Sequence, residues 1–104
     1  MNALIVRPEA EADIDEAYSW YSTRSVGLGY EYLNAIDTAF QSIADNPLRY
    51  PIVHVDPTMP VRRALTKRFP YGIYFLWDGP NSTVVVIACM HARQEPRRWL
   101  RRVR

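Results

Sequence analysis

The residues best equipped for chemistry lie in the second half of the chain. His91 closes an apolar run from Val84 to Met90, and its imidazole is the side chain that titrates nearest neutral pH. Arg62, Arg63, Lys67, Arg68 and Arg93 are cations that could bind phosphate. Cleaving RNA through its 2′-hydroxyl requires a base to take that proton, cations for the charged phosphorane and an acid for the leaving oxygen. His91, Arg62 and Arg93 are the set that could supply these. Plainer readings stand beside this one. A histidine at a strand exit can simply satisfy backbone groups. Arg62 and Arg63 are neighbours on an extended run, so their side chains leave opposite faces and only one can join a given site. The other is expected to pair with the acidic first helix. His54 sits between prolines in a surface loop. The single cysteine, Cys89, lies inside the apolar run without a disulfide partner or companion metal ligands, and reads as buried filler. Neither metal nor cofactor is expected.

These residues must be positioned by a small fold. With 104 residues, 48% hydrophobic and 23% charged, the chain suits one domain over residues 1–104 and neither a disordered nor a fibrous class. Ala3-Leu4-Ile5-Val6 reads as a first strand. Pro8 favours a helix start, since its missing N–H would have had no partner there, and Glu9, Glu11, Asp13, Asp15 and Glu16 complement the positive end of the helix dipole. Ala10, Ile14, Ala17, Tyr18 and Tyr21 form its apolar stripe, which ends before Ser22. A second helix is expected from Leu28 to Ala44, with Leu33, Ile36, Phe40 and Ile43 on one side and Ala35 and Ala39 beside them; Asn46-Pro47 ends it. The short link predicts an antiparallel helical hairpin with both stripes facing one sheet.

Residues 46–60 hold Pro47, Pro51, Pro57 and Pro60, which excludes a regular helix or central strand and predicts a crossing loop. Three β-rich runs follow, Val61–Phe69, Tyr71–Trp77 and Thr83–Met90, and predict an antiparallel meander. The fold class is therefore α+β, in the order β-α-α-β-β-β, with a helical hairpin on a mostly antiparallel sheet. Where the first strand joins is left open. Residues 71, 73, 75 and 77 are apolar or aromatic, but Tyr74 and Leu76 on the opposite face are too. Both faces need cover. Two helices shield one, so the other requires the C-terminal segment, with Trp99 and Leu100 as its apolar anchors, a second copy or a partner chain.

Charge is divided along the chain. Three arginines stand against nine acids up to Asp56, and ten basic residues against Asp78 and Glu95 from Pro57 onward. The asymmetry suggests a basic face suited to an acidic partner or nucleic acid. A helix-in-groove DNA reader is disfavoured, because the helices carry the acids. The longest apolar run is far too short to span a membrane, and Met1-Asn2-Ala3-Leu4 lacks the features of a signal peptide, so a cytoplasmic location is expected.

The ordered set of elements, with Asn46-Pro47-Leu48-Arg49-Tyr50-Pro51, Val61-Arg62-Arg63, Arg68-Phe69-Pro70-Tyr71 and His91-Ala92-Arg93-Gln94-Glu95-Pro96-Arg97-Arg98-Trp99, resembles the RelE/ParE superfamily of toxins, also called plasmid stabilisation proteins. The resemblance spans essentially the whole chain. It implies a toxin of a type II toxin-antitoxin pair and a cognate antitoxin that blocks it, with DNA contacted only through the antitoxin complex. RelE-like members are ribosome-dependent mRNA endoribonucleases; ParE-like members bind and stall DNA gyrase. The former carry a catalytic tyrosine or histidine-tyrosine pair near the C-terminus and are basic throughout. Here Tyr74 is the last tyrosine and the first half is acidic. The ParE-like branch fits better, with Arg63, Arg93, Arg97, Arg98 and Trp99 expected to bind the target. The sheet face inferred to lack cover is the expected antitoxin seat, at Tyr74, Leu76 and Trp77.

Overall fold

The computed structural model describes residues 1–55, 58–93 and 98–103. Strand β1 (Ala3–Val6) leads into helices α1 (Pro8–Arg24) and α2 (Leu28–Asp45); a 3-10 turn (Pro47–Arg49) precedes β2 (Ile52–His54), β3 (Val61–Leu65), β4 (Tyr71–Asp78) and β5 (Thr83–His91), and a second 3-10 turn covers Arg98–Arg102. This is the α+β order expected. The strands form one sheet in the order β1-β5-β4-β3-β2. The first strand, which the residue pattern left unplaced, lies parallel to β5 with Ala3 opposite Thr83 and Val6 opposite Val86, and the remaining pairings are antiparallel.

Local chemistry explains the hairpin. Pro8 occupies the first turn of α1 with Glu9 and Glu11 beside it, where a lost N–H costs nothing and carboxylates meet the helix dipole. Between the helices Gly27 takes φ +80°, a left-handed conformation that side chains other than glycine's rarely adopt. Ala10, Ala17 and Tyr21 of α1 and Tyr32, Ile36 and Ile43 of α2 then close on Ile73, Phe75, Val84 and Val86 of the sheet. Tyr32, absent from the expected stripe, is fully buried. Its ring meets Tyr21 at 5.3 Å and Tyr71 at 5.2 Å, and its hydroxyl lies 3.5 Å from Cys89 Sγ. Aromatic pairs of this kind add about 0.5–1.5 kcal/mol each beyond their burial.

Two expectations need correction. Within the proline-rich stretch expected to be a crossing loop, Ile52–His54 forms a short strand at the sheet edge, paired with Val61 and Arg62. Its flanking prolines interrupt neighbouring positions and leave these three residues free to pair, which an edge permits. The run expected from Val61 to Phe69 stops at Leu65, because the chain turns back there, with the Thr66 N–H donating to the Tyr71 carbonyl at 3.0 Å.

The second sheet face is also closed. Val61, Tyr74, Leu76, Ile87, Ala88 and Met90 form a buried cluster under Trp99, with Met59, Leu100 and Val103 at its margin. Of the three covers considered, the chain's own C-terminal segment is the one used. Tyr74 and Leu76 are left only 3% and 7% exposed.

Phe75 sits at the centre of the helix-side core with no exposure. Phe75→Ala is expected to lower unfolding stability by about 3–5 kcal/mol, read as a fall in the urea midpoint with unchanged slope. A loss below about 1 kcal/mol would contradict this packing.

Candidate functional site: the sheet edge and the basic tail

The site begins where β1 ends. Pairing with β5 stops at Val6–Val86, the Arg7 N–H reaches the Val86 carbonyl at 3.0 Å, and Pro8 turns the chain into α1. Strand β5 runs on to His91, so its outer edge beyond Val86 has no strand beside it. Two side chains occupy part of that gap. Asp13 Oδ2 accepts from the Cys89 N–H at 3.0 Å, and Arg102 donates to the Ile87 carbonyl at 3.1 Å. The two also bind each other as a fork, at 2.6 and 3.2 Å, with only 15% and 17% of their side chains exposed. Arg7 holds the Arg102 carbonyl at 2.9 Å. The tail is thus fastened to the sheet edge from both its side chain and its backbone.

Beyond Arg102 and Asp13 the gap opens into a cleft of about 380 Å³, walled by Glu16 and Trp20 of α1, Tyr21, Tyr71, His91 and Arg98. The His91 ring stands edge-on to Tyr71 at 5.5 Å. Its Nδ1 accepts the Arg93 N–H at 3.1 Å, which in the neutral imidazole places the remaining proton on Nε2. Burial, and then neighbouring Tyr21, push the Tyr71 hydroxyl up to about 12. Burial likewise pushes the Cys89 thiol up to about 12, and raises Tyr32. All three are protonated at neutral pH, and none is a nucleophile there.

The expected site residues separate into distinct places. His91 and the exposed Arg98 line the cleft, and the exposed Arg93 reaches it only through its N–H on His91 Nδ1. Arg62 does not: it lies level with Phe75, facing the helices, and donates to the Tyr50 carbonyl at 2.7 Å. Arg63 pairs across the sheet with Tyr74. Arg102 of the tail meets Asp13 of α1. Trp99 stacks on Tyr74 at 4.8 Å with His54 edge-on at 6.0 Å, so it acts as packing. Trp77 faces the helix side and donates from Nε1 to Asn2 Oδ1 at 3.0 Å. Tyr74 and Leu76 lie beneath Trp99 and are closed to a partner while the tail is down. Arg97 falls outside the described residues. The basic half therefore does not form one face: Arg62 and Arg102 are turned inward, and Arg68 pairs with Glu31 of α2.

Sequence reasoning missed Asp13–Arg102 and Tyr71–His91. A signal for the first was present. Asp13 is one turn from Ala10 and Ala17, on the stripe that faces the sheet, and an acid there calls for a buried partner. Among the described residues, no group of three or more His, Cys, Asp or Glu could hold a metal, and no helix is long and apolar enough to cross a membrane.

A helical hairpin on one face of a five-stranded sheet, with a basic tail closing the other, defines a small toxin-type α+β domain of the RelE/ParE superfamily. The chain belongs to the ParE toxin family of parDE type II toxin-antitoxin systems, whose family model matches residues 4–96. No curated protein matches the chain. It is accordingly a type II toxin, a family that implies an antitoxin partner.

Two outcomes follow from the edge. Asp13→Asn keeps an acceptor for the Cys89 N–H but strands the Arg102 charge. We expect a loss of about 2 kcal/mol, with hydrogen exchange rising first at Leu100–Val103; unchanged protection there would refute the fastening. Cys89 and Tyr71 keep their protons in the folded state above their ordinary values of 9.0 and 10.0, whereas the unfolded chain releases them. Stability should therefore hold below about pH 9 and fall between there and pH 12, by up to about 1.4 kcal/mol per pH unit for each group titrating. Urea titrations across that range, with Cys89→Ala delaying the onset, check the sign.

Proposed function

We propose that this toxin arrests growth by binding DNA gyrase and that a cognate antitoxin, encoded beside it on a plasmid or chromosome, neutralises it in the cytoplasm. The observation that carries this is the family match over residues 4–96. Binding rather than hydrolysis is supported by the state of His91. The Nδ1 lone pair of the neutral ring is committed to the Arg93 N–H, so Nε2 is a donor and the imidazole is poorly placed to act as a general base. Arg62, the cation such a reaction would want nearby, is turned toward Tyr50. Target contact then falls to the exposed groups at the tail end, Arg93 and Arg98, with Arg97 beside them in sequence, while Arg63 and Trp99 support that end from the sheet.

Ribosome-dependent mRNA cleavage is the second reading, favoured by one observation. A histidine-tyrosine contact exists after all, with Tyr71 from β4 beside His91 and Arg98 on the same cleft.

The two readings separate in vitro. The purified chain is expected to inhibit supercoiling by gyrase and to leave message intact on translating ribosomes; cleaved message with uninhibited gyrase would reverse the assignment. His91→Gln sharpens the choice. It should leave gyrase inhibition within about threefold, whereas a catalytic imidazole predicts loss of cleavage by roughly 100-fold or more. Expression of the chain alone should stop growth, with rescue by the adjacent small reading frame.

A further inference from the structure

Arg7 belongs to neither apolar cluster of the core, yet it holds the far end of the chain. It precedes Pro8, and the proline ring confines a residue in that position to extended backbone; Arg7 accordingly takes φ −65° and ψ 152°. With its N–H given to the Val86 carbonyl at 3.0 Å, its side chain reaches the tail and donates to the Arg102 carbonyl at 2.9 Å. Asp13 takes the Arg102 side chain at 2.6 Å. The tail is therefore moored at two points along its length. At the first, the Ala92 N–H donates to the Pro70 carbonyl at 2.7 Å and the Arg93 N–H to His91 Nδ1 at 3.1 Å. At the second stand Trp99, stacked on Tyr74, and the clasped Arg102. Arg93 and Arg98, both exposed, fall between Ala92 and Trp99 in the chain.

We infer that Arg7 is a positioning residue for target binding: its hold on the Arg102 carbonyl fixes the second mooring, so that Arg93 and Arg98 are presented to the target from a backbone already in place. The physics is preorganisation. A chain end tied at one point samples many arrangements, and binding must then order the backbone together with the arginines it carries. A second tie removes that cost before the encounter. Charge adds to the need, because Arg98, Arg101 and Arg102 are close in sequence and like charges spread an unheld segment. Arg7 isolates the effect better than Asp13 does, since Asp13 also closes the sheet edge at the Cys89 N–H, whereas the Arg7 side chain bonds the backbone of the tail. The inference rests on the reading that the tail end carries target contact. It adds that a residue 95 positions away from Arg102, acting through the tail, sets the strength of that contact.

The test is a double-mutant cycle on the full chain, read as the concentration that half-inhibits supercoiling by gyrase, with Arg7→Ala, Arg98→Ala and the two combined. Arg7→Ala is expected to weaken inhibition about tenfold and to speed hydrogen exchange at Leu100–Val103. In the Arg98→Ala background the same change should cost less than about threefold, because residues that act through one another are not additive. Ile36→Val controls for stability. It trims a core residue that is 3% exposed, lowers the urea midpoint, and should leave inhibition within about twofold of wild type. A cost of about threefold or more for Arg7→Ala in the Arg98→Ala background would mean that Arg7 acts independently of the tail's arginine, and would overturn the inference. So would an Arg7→Ala chain within about threefold of wild type, or an Ile36→Val chain weakened as much as Arg7→Ala. The target reading is scored apart. A wild-type chain that arrests growth but spares gyrase loses the proposed target, and the same cycle, read as the inducer level needed for arrest, then decides the role of Arg7.

Discussion

A sheet whose parallel edge strand stops five residues early has backbone groups with nowhere to go, and the Asp13–Arg102 pair is what occupies them. Desolvating each ion costs several kcal/mol, and a buried pair repays that only when its remaining donors and acceptors are also met. Here they are, since Asp13 takes the Cys89 N–H and Arg102 takes the Ile87 carbonyl. The residues are 89 positions apart, so their contact joins the first helix to the end of the chain. From it follows the tail's position, from the tail the seat of Trp99, and from Trp99 the burial of Tyr74 and Leu76. The closed second face is a consequence of an edge problem solved by side chains.

The two faces are sealed with unequal quality. On the helix side, aromatic rings interlock and the Tyr32 hydroxyl finds a sulfur partner. Under the tail, Trp99 Nε1 and Arg63 Nε are buried with no acceptor among the described residues, a cost of about 1–3 kcal/mol each where no water reaches them. The tail also contributes a single large apolar side chain that is fully seated, Trp99, with Leu100 and Val103 only partly covered. The helical hairpin is therefore the more fully packed half of the molecule, and the tail is fastened by its ion pair and backbone bonds beside one seated tryptophan.

Much of the fold was legible because its signals are local. Helix periodicity, Pro8 and the apolar run across Tyr71–Trp77 each report on a handful of neighbours and place their elements where they are found, although the first helix, expected to end before Ser22, runs on to Arg24. Local signals were weaker for short elements. Three residues of β2 between prolines carry too little pattern to distinguish an edge strand from a loop, and the placement of β1 beside β5 depends on a contact about 80 residues distant. The site was legible only in part. His91 and Arg98 do share a cleft, but side-chain direction on a strand cannot tell whether an arginine serves a partner or its own backbone. Arg62 and Arg102 proved to do the latter. The apolar excess of the sheet was read correctly as a demand for cover, while the amount that one tryptophan can satisfy was underestimated.

Charge gives the last step. A surface meant for a polyanion spreads its cations along a phosphate track, and affinity then rises with the number of phosphates neutralised. In this chain part of the second half's positive charge is engaged within the molecule: Arg62 holds the Tyr50 carbonyl, Arg68 pairs with Glu31 at the surface, and Arg102 fills the sheet edge. At the tail end Arg98 lines the same cleft as Glu16 of α1, and Arg93 and Arg101 are exposed. Such a bipolar rim is costly against a uniform backbone of phosphates, since Glu16 would be brought close to one of them. It suits a protein surface, where opposite charges alternate over the width of a few side chains and complementarity sets orientation as well as encounter rate.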